Sequence, residues 1–125
     1  MNMVIAIACG GAFGAVSRYL VMMQVGQHGA EFPYGTLTVN VLGSTILGIF
    51  IEVSALSWSP SPEIRALLVV GVLGAFTTFS TFSLDVVYLV QKGAVVHAGL
   101  YVAASIIISI GALYASMRLI RLFLA

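Results

Sequence analysis

Three sets of polar side chains recur at four-residue spacing, each inside an apolar stretch. Thr36, Asn40, Ser44 and Gly48 form the first, Thr77, Thr81 and Asp85 the second, and His97, Tyr101, Ser105 and Ser109 the third. Helical residues four apart share a face, so each set makes a narrow polar stripe. Phe76, Phe79 and Phe82 run beside the second stripe at three-residue spacing, with Ser80 and Ser83 among them. The donors are hydroxyls, one carboxamide and the electropositive edges of aromatic rings. That set suits a small anion better than a cation. Proton-coupled cation export needs a buried carboxylate, and only Asp85 is well placed in the cluster's helix.

Each stripe also has a plainer reading. Phenylalanine rows commonly pack, and Ser and Thr can bond back to their own helix carbonyls. The Asn40 amide can serve a neighbouring helix or donate to an anion in a wet path. His97 lies near a helix start with no second His at metal-ligand spacing, which argues against zinc. No spacing joins His97 or Asp85 to a nucleophile, so the chain is not read as an enzyme.

The elements that must position these stripes are set by composition. Of 125 residues, 61% are hydrophobic and 7% charged, against about 25% charged in soluble domains. A small soluble core could not hide so much apolar area. The chain reads as an all-α integral membrane protein whose solvent is the lipid bilayer. Net charge is +1 with no basic run, which argues against a nucleic-acid partner. Cys9 is the only cysteine and allows neither an intrachain disulfide nor a cysteine metal site. No Lys or Arg precedes the first apolar run, so that run is read as a membrane span rather than a signal peptide.

About 20 apolar residues cross a bilayer. Four segments qualify, at about residues 3–25, 36–56, 64–90 and 94–119, in one membrane domain over 1–125. Turn residues fill 26–35, and Gln91, Lys92 and Gly93 make a tight reversal. Ser61, Pro62 and Glu63 read as an N-cap, a first helical residue and an acid at the positive end of the dipole. Glu52, near the far end of the second segment, is expected to be solvated. Gly10 and Gly14 form G-x-x-x-G, which permits close helix approach. Arg18 lies about seven residues, or roughly 10 Å, from the end of the first segment. It reads either as a snorkelling side chain or as a functional intramembrane charge.

The third segment holds the densest cluster. Gly71 and Gly74 weaken the helix just ahead of the hydroxyls, so this helix is expected to be broken near its middle. Carbonyls and amides freed by a break persist at membrane depth only if buried in protein or lining a water-filled path. Freed carbonyls can coordinate a cation, and a following helix N-terminus favours an anion. For orientation, Arg65, Arg118 and Arg121 fall on one side and Lys92 and Arg18 on the other. So slight a bias allows insertion both ways, and with it an antiparallel homodimer.

Three stretches together resemble the Fluc (CrcB) family of fluoride channels. They are Gly11-Ala12-Phe13-Gly14-Ala15-Val16-Ser17-Arg18-Tyr19, then Gly35-Thr36-Leu37-Thr38-Val39-Asn40-Val41-Leu42-Gly43, then Gly71-Val72-Leu73-Gly74-Ala75-Phe76-Thr77-Thr78-Phe79-Ser80-Thr81-Phe82-Ser83. The resemblance implies a dual-topology homodimer with two antiparallel pores. It implies passive, fluoride-specific efflux across the bacterial plasma (inner) membrane, lowering cytoplasmic fluoride. It implies a structural sodium ion, not transported, held at the dimer centre by backbone carbonyls matching Gly74 and Thr77. Phe79 and Phe82 match pore phenylalanines, and Asn40 a pore-lining Asn. Thr36, Ser80, Tyr101 and Ser109 match polar positions along the path, beside which Thr81 stands as a further candidate. Arg18 matches an arginine typical of the family. Asp85 stands where the family can carry Glu, and its role stays open; Ala75 in place of a frequent Gly barely disturbs the backbone argument. Two other readings remain. A small multidrug-resistance-type transporter would want a glutamate in the first helix, which has none. A non-transporting membrane assembly subunit would leave the hydroxyl and phenylalanine cluster unexplained.

Overall fold

The computed structural model describes residues 2–26 and 31–125, so residues 27–30 of the expected first turn lie outside them. Every regular element among the described residues is helical. Helix α1 (Met3–Val25) starts at Asn2, whose side-chain oxygen accepts from the Val4 N–H at 2.7 Å. It stops at Gly26, whose φ of 83° is the left-handed cap that glycine adopts without strain. Helix α2 (Tyr34–Leu56) follows Pro33. Helix α3 (Pro62–Arg65) opens with Ser61 Oγ accepting from the Ile64 N–H at 3.3 Å, with Pro62 in the first turn and Glu63 beside it. The winding then loosens into a π-helix, π1 (Ala66–Leu73), and tightens again in α4 (Gly74–Phe76). Thr77 and Thr78 are extended, with ψ of 157° and 122°. Helix α5 (Phe79–Gln91) and helix α6 (Val95–Leu124) complete the chain.

Four helical runs are long and apolar enough to cross a membrane: Met3–Val25, Tyr34–Leu56, Pro62–Gln91 and Val95–Leu124. Twenty-three residues, as in α1 and α2, make about 35 Å of helix, enough for a hydrocarbon core of about 30 Å. Large apolar side chains such as Val96, Ile107 and Leu122 point outward, which is where lipid rather than water is the solvent.

Close backbone contact joins α1 to the third span. A Cβ added at Gly71 would lie 2.9 Å from both the Gly10 Cα and the Ile7 carbonyl oxygen. One added at Gly10 would collide with the Leu67 carbonyl, and one at Gly14 with that of Val72. The G-x-x-x-G pair therefore packs a helix, as its spacing suggests.

One expectation is corrected. Helix α6 runs to Leu124, past the end of the apolar segment near residue 119. Arg118 and Arg121 suit the negative end of its dipole, and no breaker precedes them. The longer helix carries Arg121 alongside α2, and this overturns a solvated Glu52. Glu52 is only 5% exposed, and Arg121 donates to its two carboxylate oxygens at 3.1 and 3.3 Å. A carboxylate so enclosed needs such a partner.

Candidate functional site

The site is built on the extended pair Thr77–Thr78. Helical winding continues through Gly71 and Gly74, where the sequence suggests weakness, and Gly71 serves close packing against Gly10. It gives way three residues later. The Leu73 carbonyl accepts from both the Thr77 N–H, at 3.1 Å, and the Thr77 hydroxyl, at 2.9 Å. Thr78 then caps α5, its Oγ1 accepting from the Thr81 N–H at 3.1 Å. Such a cap replaces an amide partner that the helix start cannot supply.

Asn40, on α2, braces this pair from the side. Its Oδ1 accepts from the Thr78 N–H at 2.8 Å and its Nδ2 donates to the Thr78 carbonyl at 3.0 Å. One turn further along α2, Gly43 leaves room for the Thr77 methyl group, with which an added Cβ would collide.

Beside this junction lies a groove of about 370 Å³. Asn40, Gly43 and Ser44 of α2 line one wall, and Ser105 and Ser109 of α6 another. Gly74, Thr77, Thr78, Phe79 and Phe82 belong to the third span. No charged side chain is among these described lining residues. The groove is lined by hydroxyl side chains, one carboxamide and two phenylalanine rings, a set of dipoles without full charge.

Beyond Phe82 the aromatic wall continues. Phe79 and Phe82 have ring centroids 5.4 Å apart, and Phe82 lies 5.1 Å from Tyr101. Tyr101 is fully buried, meets Phe32 edge-on at 5.5 Å, and donates its hydroxyl to Asp85 at 2.9 Å. Thr36, also fully buried, belongs to the first turn of α2.

The predicted residues thus divide. Asn40, Thr77, Gly74, Phe79, Phe82 and Ser109 meet at one groove. Tyr101 and Asp85 pair next to it, joined to it through Phe82. Ser80 is exposed, its hydroxyl 3.4 Å from that of Thr78. Thr81 is half-buried and gives its N–H to the Thr78 cap. The stripe Thr77, Thr81, Asp85 does not survive as one face, because the extended pair breaks its register. Phe76 leaves the phenylalanine row and is buried, while Phe79 is 78% exposed. Arg18 is half-buried on α1, one turn past Gly14. His97 is exposed on the first turn of α6.

Sequence reasoning missed one contributor. Thr78 is the cap and the target of Asn40; its place just ahead of Phe79, three residues before Thr81, is the spacing of an N-cap and could have marked it. Ser105, read from its place in the α6 stripe as one of a track of hydroxyls, lines the groove with Ser109.

Residues 5–117 match the model of the family described as CrcB-like protein, Camphor Resistance (CrcB). A protein of Rhodospirillum centenum named fluoride-specific ion channel FluC is 52% identical over 122 residues, covering 97% of each chain. Proteins of the same name from Agrobacterium fabrum and Nitrobacter winogradskyi are 47% and 46% identical. The first match covers 92% of this chain and 93% of its relative, the second 94% of each. With the family model matched over most of its length and relatives this similar end to end, the chain belongs to the CrcB-like family.

Proposed function

We propose that this chain is a fluoride-specific ion channel that lets fluoride leave the cell passively across the bacterial plasma (inner) membrane. The observation that carries the reading is the similarity, over nearly the full length, to proteins named fluoride-specific ion channels. The groove supports it, since its lining is uncharged and sets Asn40, Ser105 and Ser109 among apolar residues. A small anion exchanges its hydration shell for Asn40, the hydroxyls and the edges of Phe79 and Phe82. The rings leave no polar replacement for the shell of a larger ion.

The working unit in this reading is an antiparallel, dual-topology homodimer with the third span serving as a broken transmembrane helix. Phe79 lies open to the outside of a single chain, which suits a ring completed by a second copy. The groove is then a pore wall rather than a lipid-facing cleft. Thr36, Ser80, Thr81, Tyr101 and Ser109 extend the path, with Asp85 holding the Tyr101 hydroxyl. Arg18 contributes positive charge within the span.

Gly74 and Thr77 would hold a structural sodium ion through their backbone carbonyls. The donor set fits such an ion. Hard cations take oxygen ligands, and both residues line the groove beside the extended pair. Bound there, sodium supplies fixed charge that ties two copies together.

Liposomes loaded with fluoride test the proposal. Vesicles containing the purified protein should release fluoride much faster than empty ones and retain chloride. Release no faster than from empty vesicles would refute it.

A further inference from the structure

We infer that Asn40 and Thr78 are positioning residues for the cation site, because they divert the two backbone amides that would otherwise close onto the Gly74 and Thr77 carbonyls. The inference rests on the sodium reading above and adds to it the residues that keep its ligands available.

In an α-helix each N–H bonds the carbonyl four residues earlier. Helix continued through the junction would give the Thr78 N–H to Gly74 and the Thr81 N–H to Thr77. Neither amide goes there. The Thr78 N–H donates to Asn40 Oδ1 at 2.8 Å, and the Thr81 N–H donates to Thr78 Oγ1 at 3.1 Å. Gly74 and Thr77, whose carbonyls the sodium reading needs, bound the run of four carbonyls, residues 74–77, that the junction deprives of helical partners. Both residues line the groove, so the freed carbonyls belong to residues at a surface that an ion can reach.

Both diversions are made by side chains and not by backbone, so both can be removed singly. Asn40 also returns a bond, its Nδ2 donating to the Thr78 carbonyl at 3.0 Å. The carboxamide therefore holds residue 78 at both its amide and its carbonyl, fixing the extended conformation. Thr78 is 7% exposed, and a buried amide without an acceptor is costly. When Asn40 Oδ1 is lost, closure onto Gly74 becomes the favoured way to satisfy it. A carboxamide has two N–H donors. One serves Thr78, and the second remains for a passing anion, so bracing and lining are compatible in one side chain.

The test uses the purified full-length protein in detergent. Thermal unfolding is followed while sodium replaces N-methylglucamine at constant ionic strength, and fluoride release is measured on the same preparations. The wild type should be stabilised by sodium with a defined midpoint. Asn40→Leu and Thr78→Val keep the volume but lose the acceptor oxygen. Each should raise the sodium midpoint about tenfold or more, the scale of one lost hydrogen bond. Thr78→Ser keeps the oxygen and should bring the midpoint back close to that of the wild type. Wild-type midpoints in both Asn40→Leu and Thr78→Val would overturn the inference while leaving the sodium reading intact. A wild type indifferent to sodium would overturn the sodium reading, and this inference with it, without touching fluoride release. If the Leu and Val variants do not fold, hydrogen exchange on the wild type decides. Slow exchange of the Thr78 and Thr81 amides supports the diversion, and exchange at the rate of an open loop sinks it.

Discussion

Arg121 donates from a single guanidinium nitrogen to both oxygens of Glu52, tying the end of α6 to α2 across 69 residues of sequence. The partners are unequal: the Glu52 side chain is 6% exposed and that of Arg121 52%. Removing the arginine strands an enclosed carboxylate, whereas removing the carboxylate frees an arginine that water can reach. Arg121→Gln should therefore destabilise by about 1–3 kcal/mol, and Glu52→Gln by clearly less. The double variant should lose less than the sum of the two. Thermal unfolding of the three in detergent checks the order, and equal losses would remove the asymmetry.

Tyr101→Phe deletes one oxygen and keeps the ring against Phe32 and Phe82. The Asp85 carboxylate loses its donor at 2.9 Å. Stability should fall by about 1 kcal/mol, and fluoride release should slow by roughly tenfold if the loss is felt in full at the conduction barrier. Release at the wild-type rate would show that the hydroxyl serves folding alone.

Phe79→Ile and Phe82→Ile separate packing from conduction. Phe79 is mostly exposed and contributes little to the core of one chain, whereas Phe82 packs on Tyr101. Both variants should slow fluoride release without changing the oligomeric state, and only Phe82→Ile should also lower the unfolding temperature. Normal rates in both would return the rings to a purely structural role.

Asn40→Asp places negative charge at the groove wall. An anion approaching it meets repulsion of about 1 kcal/mol at 4 Å even in water, and more in a drier groove. Fluoride release should drop steeply in the vesicle assay. An unimpaired variant would count against Asn40 lining the path.

Gly71→Ala tests the contact between α1 and π1. Its methyl group would press on the Gly10 Cα and the Ile7 carbonyl, both backbone atoms with no side-chain freedom to yield. Overpacking of this kind costs about 1–3 kcal/mol, readable as a lower unfolding temperature. Gly11→Ala, where an added Cβ meets nothing within 4 Å, is the matched control.

Much of this architecture can be read directly from the chain. Apolar runs of spanning length mark the four long helices, Ser61-Pro62-Glu63 marks a start, and Gly10 with Gly14 marks a packed face. Each of these signals is local. The parts that escape reading are those decided by distant partners. Thr78 is held by Asn40, 38 residues away, so the extended pair falls where α2 supplies a carboxamide rather than where glycines thin the helix. Glu52 lies near a helix end and looks solvated until α6 is seen to run past it. The loosened winding of π1 leaves no mark at all in Ala66-Leu67-Leu68-Val69-Val70-Gly71-Val72-Leu73. The same apolar residues satisfy a four-residue or a five-residue hydrogen-bond step.

That looser winding bears on how this family can change. A helix wound by a different step turns its downstream residues to a new compass bearing, so residues 66–73 set together where Gly71 looks to meet Gly10 and where Gly74 and Thr77 look. Loss of one residue there would change hydrophobicity and span length little and still swing the junction away from α2. Apart from Gly71, which has no room for a side chain, this stretch can drift among apolar residue types and is closed to change in number.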